Sequence, residues 1–254
     1  MTMNTSQLSK IIPLIPILTV VALAGCQPKQ DTAATTEKVD IPLIHAKVVT
    51  VKIPKQKVCL EDGCTNYDLQ TVETNQKWID EYFVNRMKKA EPNAFSNIAD
   101  QKVKVPADEP SLSESSTYVR FVGQNYNLAT FAIQSYSYSA GAAHGMSHQE
   151  FVNFDLSNKK HITVSELLKP DMNTKLRDEL YASNQNWLEE HSIKKEDLQV
   201  SDNYYYGVNG IVFVYPLYEL ASYAEGMSEL TLPYYAAKQF VKAEYLPSLP
   251  KDPN

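Results

Sequence analysis

The run Gly141-Ala142-Ala143-His144-Gly145 holds an imidazole between two glycines, which permit positive φ and a close backbone approach around a ring able to donate, accept or change charge. Two roles compete for His144: a turn residue whose ring satisfies nearby backbone groups, or a ligand-binding group at a hairpin tip. His148 follows four residues on, but Gly145 and the strand-like surroundings disfavour the helix that would aim both rings at one ion. On a strand the pair would share a face and still need a third ligand such as Asp155 or His161, so neither a metal site nor a cofactor is expected. Serine-hydrolase chemistry lacks its G-x-S-x-G elbow, and the carboxylate pair of a glycosidase would be set by the fold rather than by spacing. The catalytic residues of any hydrolase therefore stay unassigned.

The second chemical feature is the tyrosine-rich block of residues 204–235, because tyrosine combines a large, fairly rigid contact area with a hydrogen-bonding tip. Core packing is the rival role for Tyr215, Tyr218 and Tyr223, which lie in an apolar stretch. Pro216 and Tyr218 stand out as recognition residues, since an irregular segment after a strand can present them on a rigid loop.

These residues need a scaffold. Residues 45–53 and 65–72 read as two antiparallel strands forming a first hairpin, with Cys59 and Cys64 pairing across the turn Leu-Glu-Asp-Gly. Trp78, Ile79, Tyr82, Phe83 and Met87 recur at helical spacing after Thr74 or Asn75, and Pro92 closes that helix. Residues 93–116 read mostly as loop. Strands follow at 118–122, 127–139 and 147–155, then a short helical turn after Ser165 and one helix beyond Pro170 carrying Met172, Leu176, Leu180, Trp187 and Leu188. A strand at 210–215, another at 228–232 and a helix opened by Pro233 complete the pattern. Without βαβ alternation the chain is expected to be α+β, with antiparallel sheets and packed helices in two small lobes, 41–110 and 111–254.

The 254 residues carry 24 Lys and Arg against 30 Asp and Glu, a formal charge of −6, which is the wrong sign for a nucleic-acid binder. The amino terminus has the layout of an export signal: Lys10, an apolar run from Ile11 to Ala24, then small residues. That run is too short for a membrane span and contains Pro13 and Pro16. Leu23-Ala24-Gly25-Cys26 resembles the bacterial lipobox, which implies cleavage of residues 1–25, acylation of Cys26 with palmitate-type chains, and a polar tether over residues 26–40. Gln27 after the lipidated cysteine resembles an outer-membrane address. The mature chain then keeps 23 basic and 30 acidic residues, a net −7, so the acyl group rather than charge holds it on the membrane. A lipoprotein facing the periplasm is the expectation, and its compartment permits the Cys59–Cys64 disulfide.

The segments Tyr136-Ser137-Tyr138-Ser139-Ala140-Gly141-Ala142-Ala143-His144-Gly145, Phe151-Val152-Asn153-Phe154-Asp155-Leu156 and Val164-Ser165-Glu166-Leu167-Leu168 resemble the extracytoplasmic domain of the RsiV-like family. So do residues 210–226 and Leu230-Thr231-Leu232-Pro233-Tyr234, so that the likeness spans residues 118–241. The resemblance implies an envelope binding domain: the family's namesake is an anti-sigma factor whose outer domain captures lysozyme, and relatives precede peptidoglycan deacetylase domains. On this reading a lipobox stands in place of that factor's membrane span, and no appended deacetylase domain is expected. The expected function is recognition of lysozyme or a peptidoglycan-related ligand through Tyr136, Tyr138, His144, Pro216, Tyr218 and Tyr223, rather than catalysis. The alternative is an envelope hydrolase acting on cell-wall glycan or its acyl groups.

Overall fold

The computed structural model describes residues 41–106 and 108–247. The export signal, the tether and Cys26 lie outside the described residues.

A seven-stranded sheet dominates: β1 (Ala46–Thr50), β2 (Lys57–Leu60), β3 (Gly63–Thr74), β4 (Leu112–Asn125), β5 (Leu128–Tyr138), β6 (Met146–Asp155) and β7 (Lys160–His161). Its order is β1-β3-β4-β5-β6-β7, with β2 beside the first half of β3. All ladders are antiparallel except β3–β4. A three-stranded antiparallel sheet, β10-β9-β8, is built from β8 (Tyr204–Tyr206), β9 (Gly210–Tyr215) and β10 (Ser228–Pro233). The architecture is thus α+β with mainly antiparallel sheets, as the residue pattern predicts.

Several details differ from the sequence reading. The hairpin closed by the disulfide is β2–β3, with Cys59 directly opposite Cys64, whereas β1 pairs with the later half of β3. β4 begins at Leu112, inside the stretch read as loop, because Leu112 to Tyr118 find a parallel ladder on β3. That ladder carries one sheet across residue 110, where the expected lobes meet. The hydrophobic clusters divide elsewhere: one gathers residues 44–156 and the other gathers Leu128 with residues 162–245.

Each cluster has its own helical cover. Helix α1 (Lys77–Ala90) lays Ile79, Phe83 and Met87 on one sheet face, where Phe83 and Phe154 meet with ring centroids 5.8 Å apart. Phe154 also receives the edges of Trp78 and Tyr82, each at 5.0 Å. The first sheet's other face is covered only in part, by the β8–β10 sheet. Against that second sheet pack α3 (Asn173–Ser183), α4 (Gln185–Glu190) and α5 (Tyr234–Phe240), preceded by the short α2 (Val164–Leu167). α2 opens with a reciprocal cap between Thr163 and Glu166. The single helix expected beyond Pro170 is broken at Asn184, whose amide bonds the Leu180 and Thr231 carbonyls and whose oxygen accepts the Thr231 N–H. Tying the chain to β10 outweighs continuing one helix. Among the described residues no helix is long and apolar enough to cross a membrane.

Candidate functional site

Alternation along β5 sends Ala129, Phe131, Ile133 and Ser135 toward α1, and Thr130, Ala132, Gln134, Tyr136 and Tyr138 to the opposite face. Register puts Asn153, Phe151, Gln149 and Ser147 of β6 opposite the first four of these. Arg120, Tyr118, Ser116 and Glu114 of β4 stand opposite Ala132, Gln134, Tyr136 and Tyr138. The near half of this face is sealed by β8: the Asn153 amide donates to the Tyr204 carbonyl at 2.7 Å, and Phe151 stacks near Tyr205 at 4.4 Å. Among the described residues no strand lies over the far half, from Gln134 outward.

Beside that far half runs the irregular stretch after β9. β6 leaves backbone groups at its outer edge, and two side chains satisfy them. Asn203 accepts the Phe151 N–H and donates to the Gln149 carbonyl, both at 2.8 Å, while the Met227 sulfur accepts the Gln149 N–H at 3.2 Å. Side chains thereby stand in for a missing ladder and hold residues 216–227 against the sheet.

Within that stretch Tyr218 takes positive φ (69°), which a tyrosine adopts only at a cost of about 1 kcal/mol or more, and it is 58% exposed. The single turn Tyr223–Glu225 is pinned by Glu225, which accepts the Ser222 hydroxyl at 2.8 Å and meets His191 Nε2 at 2.6 Å. The other ring nitrogen of His191 donates to the Trp187 carbonyl at 2.8 Å, and the indole stacks on the imidazole at 3.9 Å. With an acceptor at each nitrogen the charged form of His191 is stabilised, and its pKa is raised mainly by the Glu225 hydrogen bond.

The structure brings most of the sequence-selected residues together. His144 packs on Tyr223, ring centroids 4.8 Å apart, and Tyr223 packs on Tyr218 at 5.6 Å. The Tyr223 hydroxyl lies 3.4 Å from the Gly145 carbonyl, which His144 Nδ1 also approaches at 3.0 Å. His144 thus fills the turn role, as a local backbone partner, and its ring is exposed. Gly141 has φ +82°, and the Tyr136 ring lies directly against Gly145, where a Cβ would overlap it. Pro216 opens the loop, its carbonyl accepting the Glu219 N–H. Tyr138 stands further out on the sheet face, opposite Glu114. Tyr215 belongs to the core, its hydroxyl donating to the Gln199 carbonyl.

Between sheet face and loop lies an open cleft of about 380 Å³, lined by Tyr118, Gln134, Tyr136, Gln149, Leu217 and Met227 among others. Sequence reasoning selected only Tyr136 of these. The signal for Gln134 was its period-two spacing with Tyr136 and Tyr138. Tyr118, Leu217 and Met227 reach the cleft only through long-range pairing. The Tyr118 hydroxyl donates to Asp68 at 2.6 Å and its ring carries the Arg120 guanidinium at 5.3 Å, which fixes its position. His148 lines this cleft and also the smaller pocket on the α1 side, beside Glu150, which forms a two-pronged ion pair with Arg86 at 2.6 and 2.7 Å. Among the described residues no three His, Cys, Asp or Glu side chains converge as a metal site.

Fold and site together define an α+β protein with an exposed aromatic tip and a neighbouring cleft. The family model described as "Protein of unknown function (DUF3298)" matches residues 155–235 of this chain. The match covers β7 to the start of α5, including the loop that bears Tyr218 and Tyr223. The crystal structure of a DUF3298 family protein from Pseudomonas aeruginosa PAO1 is similar at TM-score 0.61 and 15% identity, covering 82% of this chain and 99% of that one. A DUF3298 family member from Bacteroides fragilis NCTC 9343 is similar at TM-score 0.58 and 15% identity, covering 80% and 96%. At such identity the likeness is one of fold. No curated protein matches the sequence.

Proposed function

We propose that this chain is a lipid-anchored recognition protein of the bacterial envelope, facing the periplasm from the outer membrane, and that its aromatic tip engages lysozyme or a related wall-directed protein. The observation that carries the reading is the meeting of two distant segments, 141–145 and 216–226, in one braced and exposed surface of His144, Tyr223 and Tyr218. A rigid aromatic patch at a protruding loop pair suits a protein partner, because little side-chain entropy is lost on contact. The RsiV-like resemblance of the same segments supports a lysozyme-type partner, and the net −7 of the mature chain supports a basic one. The lipobox resemblance at Cys26 supports the anchor.

The test is retention of hen lysozyme by the full lipidated chain in detergent at low salt. Retention that falls steeply as salt rises, and that Tyr223→Ala together with His144→Ala reduces by about tenfold or more, is expected. No retention at any ionic strength would remove the reading. Failure to label Cys26 with palmitate would remove the anchor.

A further inference from the structure

The cleft beside the tip is a different surface with different chemistry. No lysine, arginine or carboxylate lines it, and His148 is its one ionisable side chain besides the tyrosines; Asp68 and Arg120, beside Tyr118, are engaged by the Tyr118 hydroxyl and by Gln70. This disfavours phosphate, carboxylate or cationic ligands, which demand a compensating charge. Instead the wall offers side-chain amides at Gln134 and Gln149, and among the described residues neither amide has a protein hydrogen-bond partner. They stand directly opposite each other on β5 and β6, so their four hydrogen-bonding groups point from one place. The Tyr118 and Tyr136 rings flank them on β4 and β5. Across the cleft, Leu217 and Met227 present apolar surface from the loop, and Met227 is fixed by its bond to the Gln149 N–H.

A ligand that satisfies all of this is uncharged, carries an amide with a small methyl beside it, and has both hydroxyls and flat apolar faces to lay on tyrosine. We propose that the cleft binds a neutral chain of acetamido sugars, with Gln134 and Gln149 bonding the acetamido group, its methyl against Leu217 and Met227, and a pyranose face on Tyr136. The volume of about 380 Å³ falls in the range of small-ligand clefts and suits one or two sugar units. The inference deepens the envelope reading above and relies on it for the cellular setting alone. Tip and cleft would then let one protein hold a wall-directed partner next to wall glycan.

The experiment is calorimetric titration of the full chain in detergent with a tetramer of β-1,4-linked N-acetylglucosamine, with the matching glucose tetramer as control. Saturable binding of the first, at least about tenfold tighter than the second, is expected, because a site built to bond an amide rejects the analogue lacking it. Gln134→Ala, at an exposed position, should weaken binding about fivefold. Tyr136→Ala should weaken it about tenfold, and Tyr136→Phe should leave it nearly unchanged. Equal binding of both tetramers, no saturation, or indifference to Gln134→Ala and Tyr136→Ala alike would overturn the proposal. Tyr223→Ala and His144→Ala serve as the converse control. If they abolish lysozyme retention and spare sugar binding, the two surfaces act separately as proposed. Absence of lysozyme retention beside intact sugar binding would defeat the tip reading and leave the cleft standing.

Discussion

One face of the β5–β6 pair is two environments in succession. At Thr130 and Asn153 it is sealed beneath β8, and every polar group has a partner: the Thr130 hydroxyl donates to the Asn153 oxygen at 2.7 Å, and the Asn153 amide donates to Tyr204. Two residues beyond Phe151 and Ala132 the cover stops, and Gln134 and Gln149 carry amides that no group among the described residues engages. The same contrast divides the tyrosines. Tyr204 and Tyr215 are buried with hydroxyls on the Ile162 and Gln199 carbonyls, whereas Tyr218 and Tyr223 stand out in solvent. Leaving an enclosed polar atom unpaired is costly, so most are paired, the Tyr206 hydroxyl of β8 being an exception, whereas polar atoms outside the seal can stay unpaired in water and are free to meet a ligand.

The largest expected effect lies beneath the other face. Phe154→Ala removes the ring on which Trp78, Tyr82, Phe83 and Phe131 converge and should destabilise the protein by about 4 kcal/mol in denaturant titration. A loss under about 1 kcal/mol would show that this cluster does not anchor the sheet. Next comes Asn153→Ala, which strands the Tyr204 carbonyl and the Thr130 hydroxyl in a dry layer and should cost about 2 to 3 kcal/mol. Gln134→Ala, on the open stretch of the same face, should stay within about 0.5 kcal/mol. Equal costs for the two amides would erase the distinction between sealed and open halves.

Much of the sealed half was legible in the residues. Strand-type runs marked β5, β6 and the continuously apolar β9, and the helical recurrence from Trp78 to Met87 marked α1. The first turn of β4 was not, since Leu-Ser-Glu-Ser-Ser has a strand's backbone only because β3 lies alongside, a pairing no local pattern encodes. β8 was hidden for a related reason: three consecutive tyrosines alternate in environment but not in type. Of the site, His144, Tyr218 and Tyr223 could be selected by residue type and by loop position. Their mutual contact spans more than seventy residues and rests on Asn203 and Met227 acting as edge caps, which sequence spacing cannot express.

Smaller than the Asn153 effect should be that of the two glycines on stability, and it separates their duties. Gly141→Ala forces a side chain into positive φ and should cost about 1 kcal/mol without touching the cleft. Gly145→Ala has no such backbone problem but drives its methyl into the Tyr136 ring, so the ring must swing. Sugar-tetramer affinity should therefore fall with Gly145→Ala and hold with Gly141→Ala. The opposite order would mean that Tyr136 does not contribute its ring to the cleft.

The smallest expected effect concerns the clasp that holds the Tyr223 turn. Glu225 and the Trp187 carbonyl both face His191, with Glu190 nearby, so the imidazolium is stabilised and its pKa is raised above the ordinary value of about 6.5. Glu225 is depressed by the same His191 contact and by Ser222. For a base with a raised folded pKa the stabilisation is fully present below the unfolded value and disappears as pH climbs through the folded one. For the depressed carboxylate it is present above the unfolded value and disappears as pH falls through the folded one. The turn should thus be held most firmly between the depressed Glu225 value and the raised His191 value. Amide exchange in residues 222–226, measured against pH and corrected for intrinsic rates, should quicken as the solution is made alkaline past that window. His191→Gln can still donate one hydrogen bond but cannot titrate, so it should flatten the profile at the alkaline end. An unchanged profile in that variant would assign the pH response to another group and leave the tip braced by ring stacking alone.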